Sequence, residues 1–497
     1  MNRKKVIKNS FYSFTAGLIN RIGTLIFTII LARLLMPENY GVYSLVFSIA
    51  MVFYTFSDLG INQTLTKYLS YALAKEKSKV ATYYQYLIKL KLILVLIASL
   101  LLLVLAYPIS FYIYKNPAMF APLLLAVAYI FISSFDGFYT QLFYSIERVD
   151  FANVKEIISQ VTRIFLVLLV FFFIASNYQI IGVFASLTIT SLVLVIISWI
   201  YIKKIIPEIY NTGKSINQPE VRKFTNLMTI ISISGMLFSY IDALILGYFV
   251  SPEFVGYYRA AFTLVLGIIG LAYFPSLAFL SSFSKTNKQN QEKLFNYSFK
   301  YLTILSIPFT FALIFLGNFF IRLFYGYSYL PAALPLGFLA VLIFPASGIY
   351  IFSSLFSAKN KPGLFAKLII LTSIIDVVLN FVIIYLLLKI SPIWAASGAA
   401  IATLISWAFY FVASNYYAKK HFSLSFNYNL IIKPVIASII MSIFILVYIH
   451  FIGDMNLVLG IILIIASAII YFASLFLIKG IKKQDIILLF GKNEKNI

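Results

Sequence analysis

Cysteine is absent from all 497 residues, which excludes disulfides, thiolate nucleophiles and cysteine-ligated metals. Histidine is nearly so: His421 and His450 stand alone, too few for a His-rich metal centre. Charge is scarce, at 11% of residues against about 25% in ordinary soluble domains. Acidic residues are scarcest, with 16 Asp+Glu against 39 Lys+Arg and a net charge of +23. No glycine-rich phosphate loop, nucleophile–base pair or metal-ligand spacing occurs. No hydrophilic stretch is long enough to fold as a catalytic domain. The chain is therefore not expected to be an enzyme, and no catalytic residue, metal site or cofactor is assigned.

What the chain has instead is apolar bulk: 62% hydrophobic residues and a mean hydropathy of +0.96. Runs of about 20 apolar residues, the length that crosses a hydrocarbon core of roughly 30 Å, recur throughout. They predict an all-α, polytopic membrane protein with about fourteen transmembrane helices. The spans fall near 10–35, 40–61, 88–112, 118–144, 154–175, 178–202, 224–250, 255–283, 298–321, 331–357, 364–388, 393–417, 431–452 and 456–478. Residues 1–8 are basic and polar and the next segment outruns a signal core, so no cleavable leader is expected.

The excess positive charge has a location. With the N-terminus in the cytoplasm, Lys and Arg favour cytoplasmic segments by roughly six to one. The bias also predicts a cytoplasmic C-terminus in the cell membrane, and it makes anionic lipid rather than nucleic acid the partner of these cations. Residues 62–79, which mix Leu65, Tyr68, Leu69 and Leu73 with lysines, are expected to lie on the inner surface as an amphipathic helix.

The chain repeats itself. Pro37-Glu38-Asn39-Tyr40-Gly41-Val42-Tyr43 returns as Pro252-Glu253-Phe254-Val255-Gly256-Tyr257-Tyr258. At nearly the same offset, Leu142-Phe143-Tyr144-Ser145 is echoed by Leu355-Phe356-Ser357-Ala358, and Gly182-Val183-Phe184-Ala185 by Gly398-Ala399-Ala400-Ile401. An even number of spans separates equivalent positions, so the halves share one orientation, as in transporters built from parallel repeats. The expected division is a six-helix bundle over 1–203, a cytoplasmic linker over 204–222, a second six-helix bundle over 223–420, and two additional helices with a basic tail over 421–497. A central cavity between the bundles completes the expected architecture.

Polar residues inside the spans locate the work. A charge near a helix centre costs about 2.5–3.5 kcal/mol on insertion scales and survives where water or a partner meets it. Arg21 lies on a stripe with Ser13, Gly17, Asn20, Thr24 and Thr28, matched in the next span by Tyr40, Ser44, Ser48, Thr55 and Asp58. The repeat-equivalent spans carry Thr225, Thr229, Ser232, Gly235, Ser239 and Asp242, then Gly256, Arg259, Ala260, Thr263, Gly267 and Gly270. The expected cavity-lining, substrate-binding set is Arg21, Asn20, Thr24, Thr28, Ser48, Ser232, Ser239, Arg259 and Arg33. Close helix packing is the competing role for the Ser, Thr and Gly positions. Snorkelling to the interface competes for Arg33, Arg259 and Arg163. Asp242, Asp136 and Asp376 are the candidates for carrying a coupling H⁺ or Na⁺, with ion pairing or hydroxyl partners as their structural alternative. Asp58, near a span end, is assigned a structural role.

The residues also resemble a known family. Leu31-Ala32-Arg33-Leu34-Leu35, Pro37-Glu38, Gly41-Val42-Tyr43-Ser44-Leu45, Asp58-Leu59-Gly60-Ile61 and Lys67-Tyr68 look like the opening of polysaccharide-biosynthesis flippases. Asp242-Ala243-Leu244-Ile245-Leu246-Gly247 and Gly398-Ala399-Ala400-Ile401-Ala402-Thr403 extend the likeness, which places the chain among multidrug/oligosaccharidyl-lipid/polysaccharide exporters. The resemblance implies two six-helix bundles, often with two C-terminal helices, around a cavity that opens alternately to each side. It implies a polyprenyl- or dolichyl-linked phosphate or pyrophosphate sugar as substrate, and it raises other polysaccharide-assembly proteins as partners. A multidrug extruder of organic cations is the related alternative, and an integral-membrane glycan polymerase or glycosyltransferase the alternative of another class.

Overall fold

The computed structural model describes residues 3–210, 219–285, 288–359, 361–453 and 456–481. The Ser13 side chain, residues 211–218 of the expected linker and residues 482–497 of the expected basic tail lie outside what is described. Among the described residues every regular element is helical. The order is α1 (Arg3–Asp58), α2 (Ile61–Lys75), α3 (Val80–Pro108), α4 (Phe120–Ser145), α5 (Val149–Phe173), α6 (Gln179–Ile205), α7 (Pro219–Phe249) and α8 (Pro252–Lys285). It continues with α9 (Lys288–Phe315), α10 (Gly317–Tyr325), α11 (Ala333–Val341), α12 (Ile343–Ala358), α13 (Pro362–Leu388), α14 (Pro392–Phe422), α15 (Asn429–Ile452) and α16 (Leu457–Leu477).

Thirteen described helical stretches are long and apolar enough to cross a membrane. The first of them, Ile19–Lys75, contains the second expected span and most of the first. Met36 interrupts the helical dihedrals of α1 at φ 62 and ψ 167. Pro37 follows it, and proline removes an amide donor and disfavours helical backbone in the residue before it. The two arms of α1 are therefore separate spans joined at a sharp bend.

Burial runs inside out where lipid is expected. Along α3, Leu92, Ile93, Leu96, Ile97, Leu100, Leu101, Leu103 and Val104 are exposed, while Lys91 is completely buried. Ile436, Ile439, Ile440 and Ile443 of α15 and Ile461, Ile462, Ile465 and Ile469 of α16 are likewise exposed. Water would not tolerate such ridges, whereas hydrocarbon does, since helices already satisfy their own backbone groups. The protein is a multi-pass membrane protein.

The chain forms two compact units. The first comprises Met1–Thr263 with Ile369–Thr403. Its core joins Ile61, Leu65 and Leu69 of α2 to Tyr83 and Leu87 of α3, Phe138 and Leu142 of α4, and Ile202 of α6. The apolar stripe of α2 is thus consumed by protein, a correction to the surface-lying helix expected from its pattern: periodicity shows that a helix has a greasy face, not what covers it. The second unit comprises Leu264–Leu368 with Leu404–Ile497. In it, Ala437, Met441 and Ile445 of α15 and Leu463, Tyr471 and Leu475 of α16 pack on Phe319 of α10 and Ile304 of α9.

The repeated motifs land at matching places. Pro37 and Pro252 each open a helical arm, and the Leu-Phe echoes close α4 and α12. Gly182 of α6 faces Val170 of α5, and Gly398 of α14 faces the backbone of Ile383 in α13. In both halves a glycine near the start of one helix admits the helix before it.

Candidate functional site

Arg21, Thr24 and Thr28 are half-buried on one face of α1, with Asn20 exposed beside them. Thr28 donates back to the carbonyl of Thr24 at 2.9 Å, the usual helical resting place for a threonine hydroxyl. That face meets α5. At Gly23 a Cβ would come within 2.7 Å of the Gln160 side chain, so glycine is what lets the two helices approach.

Across this contact Arg163 reaches α1. Its guanidinium donates to Gln160 Oε1 and, at 3.4 Å, to Thr24 Oγ1, and it lies 4.1 Å from the centre of the Phe27 ring. Its Nε is buried without an acceptor. Gln160 in turn donates to Glu156 at 2.7 Å. The snorkelling expected of Arg163 does not occur: the side chain turns onto the polar stripe that carries Arg21. A second cation, absent from the expected site, therefore belongs to it. The signal available in sequence was the Glu156–Gln160–Arg163 spacing, which places all three on one face of α5.

Beyond the bend, α1 contributes aromatic rings. Tyr40 and Tyr43 stack at 6.1 Å, Tyr43 and Phe47 at 5.7 Å, and Phe47 meets Tyr129 of α4 at 6.4 Å and Tyr240 of α7 at 6.3 Å. Arg259 of α8 lies 5.6 Å from the Tyr240 ring centre and donates to the Ser239 carbonyl at 3.1 Å. Phe47, Tyr129, Tyr240, Arg163 and Arg259 are all half-buried. Among the described residues no carboxylate lies within 4 Å of Arg163 or Arg259.

The hydroxyl stripes divide. Ser48 is wholly buried and donates to the Ser44 carbonyl at 2.7 Å, which is the packing role. Ser239 is half-buried, donates to the Gly235 carbonyl and offers its own carbonyl to Arg259. Ser232 is half-buried, and Arg33 is exposed near the bend of α1.

The acids divide as well. Asp136 is paired with Lys155 of α5 at 2.6 Å, and Lys155 also donates to the Asp136 carbonyl and the Thr140 hydroxyl. Asp58 pairs with Lys91 of α3 at 2.8 Å. Asp242 is different: it is fully buried, accepts the Tyr258 hydroxyl on Oδ2 and leaves Oδ1 without a hydrogen-bond partner. Around it stand Thr403, 3.5 Å from the Tyr258 hydroxyl, and Asp376, whose Oδ1 accepts from Asn380 at 3.3 Å. The Asn380 carbonyl oxygen is buried and unpaired. Helices α7, α8 and α14 thus bring the Asp242 carboxyl and the Tyr258 and Thr403 hydroxyls together, with Asp376 and Asn380 of α13 paired nearby. Tyr258, Asn380 and Thr403 were not expected there; only the four-residue spacing of Asp376 and Asn380 hinted at it.

A family model described as "Polysaccharide biosynthesis protein" matches residues 6–286. The probable low-salt glycan biosynthesis flippase Agl15 of Haloferax volcanii is 25% identical over 233 residues, which are 46% of this chain and 47% of that protein. The chain thus spans about half the length of the curated relative it matches. Among solved structures, the lipid II flippase MurJ in an inward closed conformation aligns with a TM-score of 0.70 at 16% identity, covering 97% of this chain and 100% of that one. An inward-facing multidrug resistance MATE family transporter aligns at 0.58 and 14% identity over 84% of this chain and 94% of that one. A transporter from Pyrococcus furiosus, described as having a binding pocket of reversed polarity, aligns at 0.57 and 13% identity over 84% and 96%. At these identities the likeness is one of fold.

Proposed function

The chain belongs to the polysaccharide biosynthesis protein family, and from that premise we propose that it flips lipid-linked oligosaccharides from the cytoplasmic to the outer leaflet of the cell membrane. It is a transporter rather than an enzyme. The similarity to a glycan biosynthesis flippase and the fold shared with the lipid II flippase MurJ support the substrate class. The observation that carries the reading is that, among the described residues, no carboxylate lies within 4 Å of Arg163 or Arg259, two cations that an anion from outside the protein would neutralise.

A polyprenyl- or dolichyl-linked phosphate or pyrophosphate fits that need. Arg21 and Arg163 on one side and Arg259 on the other would meet the phosphate by charge-assisted hydrogen bonds. The rings of Phe47, Tyr129 and Tyr240 offer flat surfaces for sugar C–H faces, with tyrosine hydroxyls for sugar oxygens. The lipid tail stays in hydrocarbon. Movement follows from alternating access of the repeat bundles 1–203 and 223–420, with both termini in the cytoplasm.

Asp242, with Asp376 beside it, is the coupling site for H⁺ or Na⁺, since Asp136 and Asp58 already hold lysines. An ion gradient supplies about 2.3 kcal/mol per charge per 100 mV. The multidrug-extruder alternative would need an acidic substrate cavity, and two of the expected acids are already spent on internal pairs. The test is accumulation. Cells lacking the protein should build up lipid-linked oligosaccharide on the cytoplasmic face, and Arg21→Ala should fail to rescue them. Normal surface glycan with no accumulated intermediate refutes the reading.

A further inference from the structure

The two copies of the repeated Pro-Glu-x-x-Gly motif do not merely resemble each other; they touch. A Cβ at Gly41 would lie 1.7 Å from the carbonyl oxygen of Pro252, and a Cβ at Gly256 would lie 2.2 Å from the carbonyl oxygen of Pro37 and 3.3 Å from the Gly41 nitrogen. Each glycine thus sits on the first-turn carbonyl of the other copy. The spacing explains why: residues four apart share a helix face, so proline carbonyl and glycine Cα present one flat patch. Two such patches meet with backbone against backbone. Real Cβ atoms stay 3.0 Å from such atoms, so any side chain at either glycine separates the helices. Beside this contact Gly247 of α7 closes on the buried Leu45, where a Cβ would come within 2.3 Å of its side chain. The Tyr114 hydroxyl also donates to the Leu244 carbonyl at 3.2 Å.

The far ends of the same helices are joined in another way. Thr229 donates to the Leu59 carbonyl at 2.6 Å, Thr64 and Thr225 share a hydrogen bond of 3.1 Å, and Gly60, at φ 78, leaves only 2.5 Å between its would-be Cβ and Met228. Phe47, Tyr240 and Asp58 fall between the two junctions along the chain.

The geometry points to the Gly41–Gly256 contact as the outward seal of the translocation pathway, made by the two repeats docking on each other and parted when the glycan leaves. Both glycines are positioning residues for transport. This rests on the flippase reading and on the orientation that puts residues 36–40 outside.

A chain without cysteine gives a clean background for the test. Thr55→Cys, half-buried between the junctions, reports access to a membrane-impermeant maleimide added outside. Gly41→Val or Gly256→Val should raise its labelling at least fivefold and stop flipping of a short-chain polyprenyl diphosphate disaccharide in proteoliposomes. Gly337→Val, where a Cβ meets nothing within 4 Å, should change neither. Unchanged labelling in monodisperse Val variants overturns the proposal. Should they fail to fold, Asn39→Cys with Phe254→Cys keeps both glycines. A cleavable bismaleimide across that pair should abolish flipping, and cleavage should restore it. No cross-link, or full flipping while cross-linked, overturns the proposal. If the unmodified protein flips nothing, the flippase reading falls instead.

Discussion

Lys91 is a completely buried charge, and removing its partner should show what it costs. Its ammonium lies 2.8 Å from Asp58 Oδ1, with side-chain exposures of 0% and 9%. The pair ties the end of α1 to α3 just before the turn at Leu59 and Gly60, where both residues have positive φ. Lys91 is buried on a helix whose following positions are exposed and apolar, so losing Asp58 leaves its charge buried and unpaired. Stripping one member from a buried pair costs about 3–5 kcal/mol, whereas replacing both by apolar groups of similar volume is near neutral or stabilising. At about 2–4 °C per kcal/mol for a domain of 150–250 residues, Lys91→Met or Asp58→Leu should lower the melting temperature by roughly 6–20 °C. The double variant should return to within a few degrees of the parent. Tryptophan-monitored melting of the four proteins in one detergent completes a double-mutant cycle. If the double variant is as damaged as the two singles added together, the pair is uncoupled and the argument fails.

Three further outcomes follow from the site. Arg163→Gln removes charge-assisted hydrogen bonds worth about 1.5–3 kcal/mol, so headgroup affinity should fall roughly ten- to hundredfold, with Arg163→Lys partly retaining it. Titration with a polyprenyl diphosphate distinguishes this from unchanged binding, which would return Arg163 to a packing role. Asp242→Asn should fold and bind the lipid yet lose the response of flipping to an imposed H⁺ or Na⁺ gradient, measured in proteoliposomes; a preserved response moves coupling elsewhere. Ser48→Ala removes only a hydroxyl bonded to its own helix, so flipping should stay within twofold of the parent, and a larger loss would put Ser48 in the pathway.

The parts of the fold legible in sequence are those governed by local chemistry. Hydrophobic length marked the spans, proline and glycine punctuation marked their ends, and the repeated heptad marked the break in α1 and the start of α8. Arg163 shows where such reading stops. Its depth in α5 could be estimated, but whether it turned toward lipid, water or α1 depended on Gly23, a residue 140 positions away whose missing side chain admits Gln160. The acidic site tells the same story, because Tyr258 of α8 meets Asp242 of α7 and Thr403 of α14 only after packing. Ser48, buried and bonded to the Ser44 carbonyl, shows the opposite difficulty. A polar residue at helical spacing from other polar residues reads as a lining position, although a serine can satisfy itself on its own backbone and vanish into a dry interface.

The break at Met36 and Pro37 makes α1 an articulated rod. No continuous hydrogen-bond ladder transmits torque through that joint, so under the proposed function the shank bearing Arg21 and Thr24 would tilt on a headgroup while the segment beyond stays clamped at Gly41. On that proposal, grasping and unlocking are mechanically separable within a single helix.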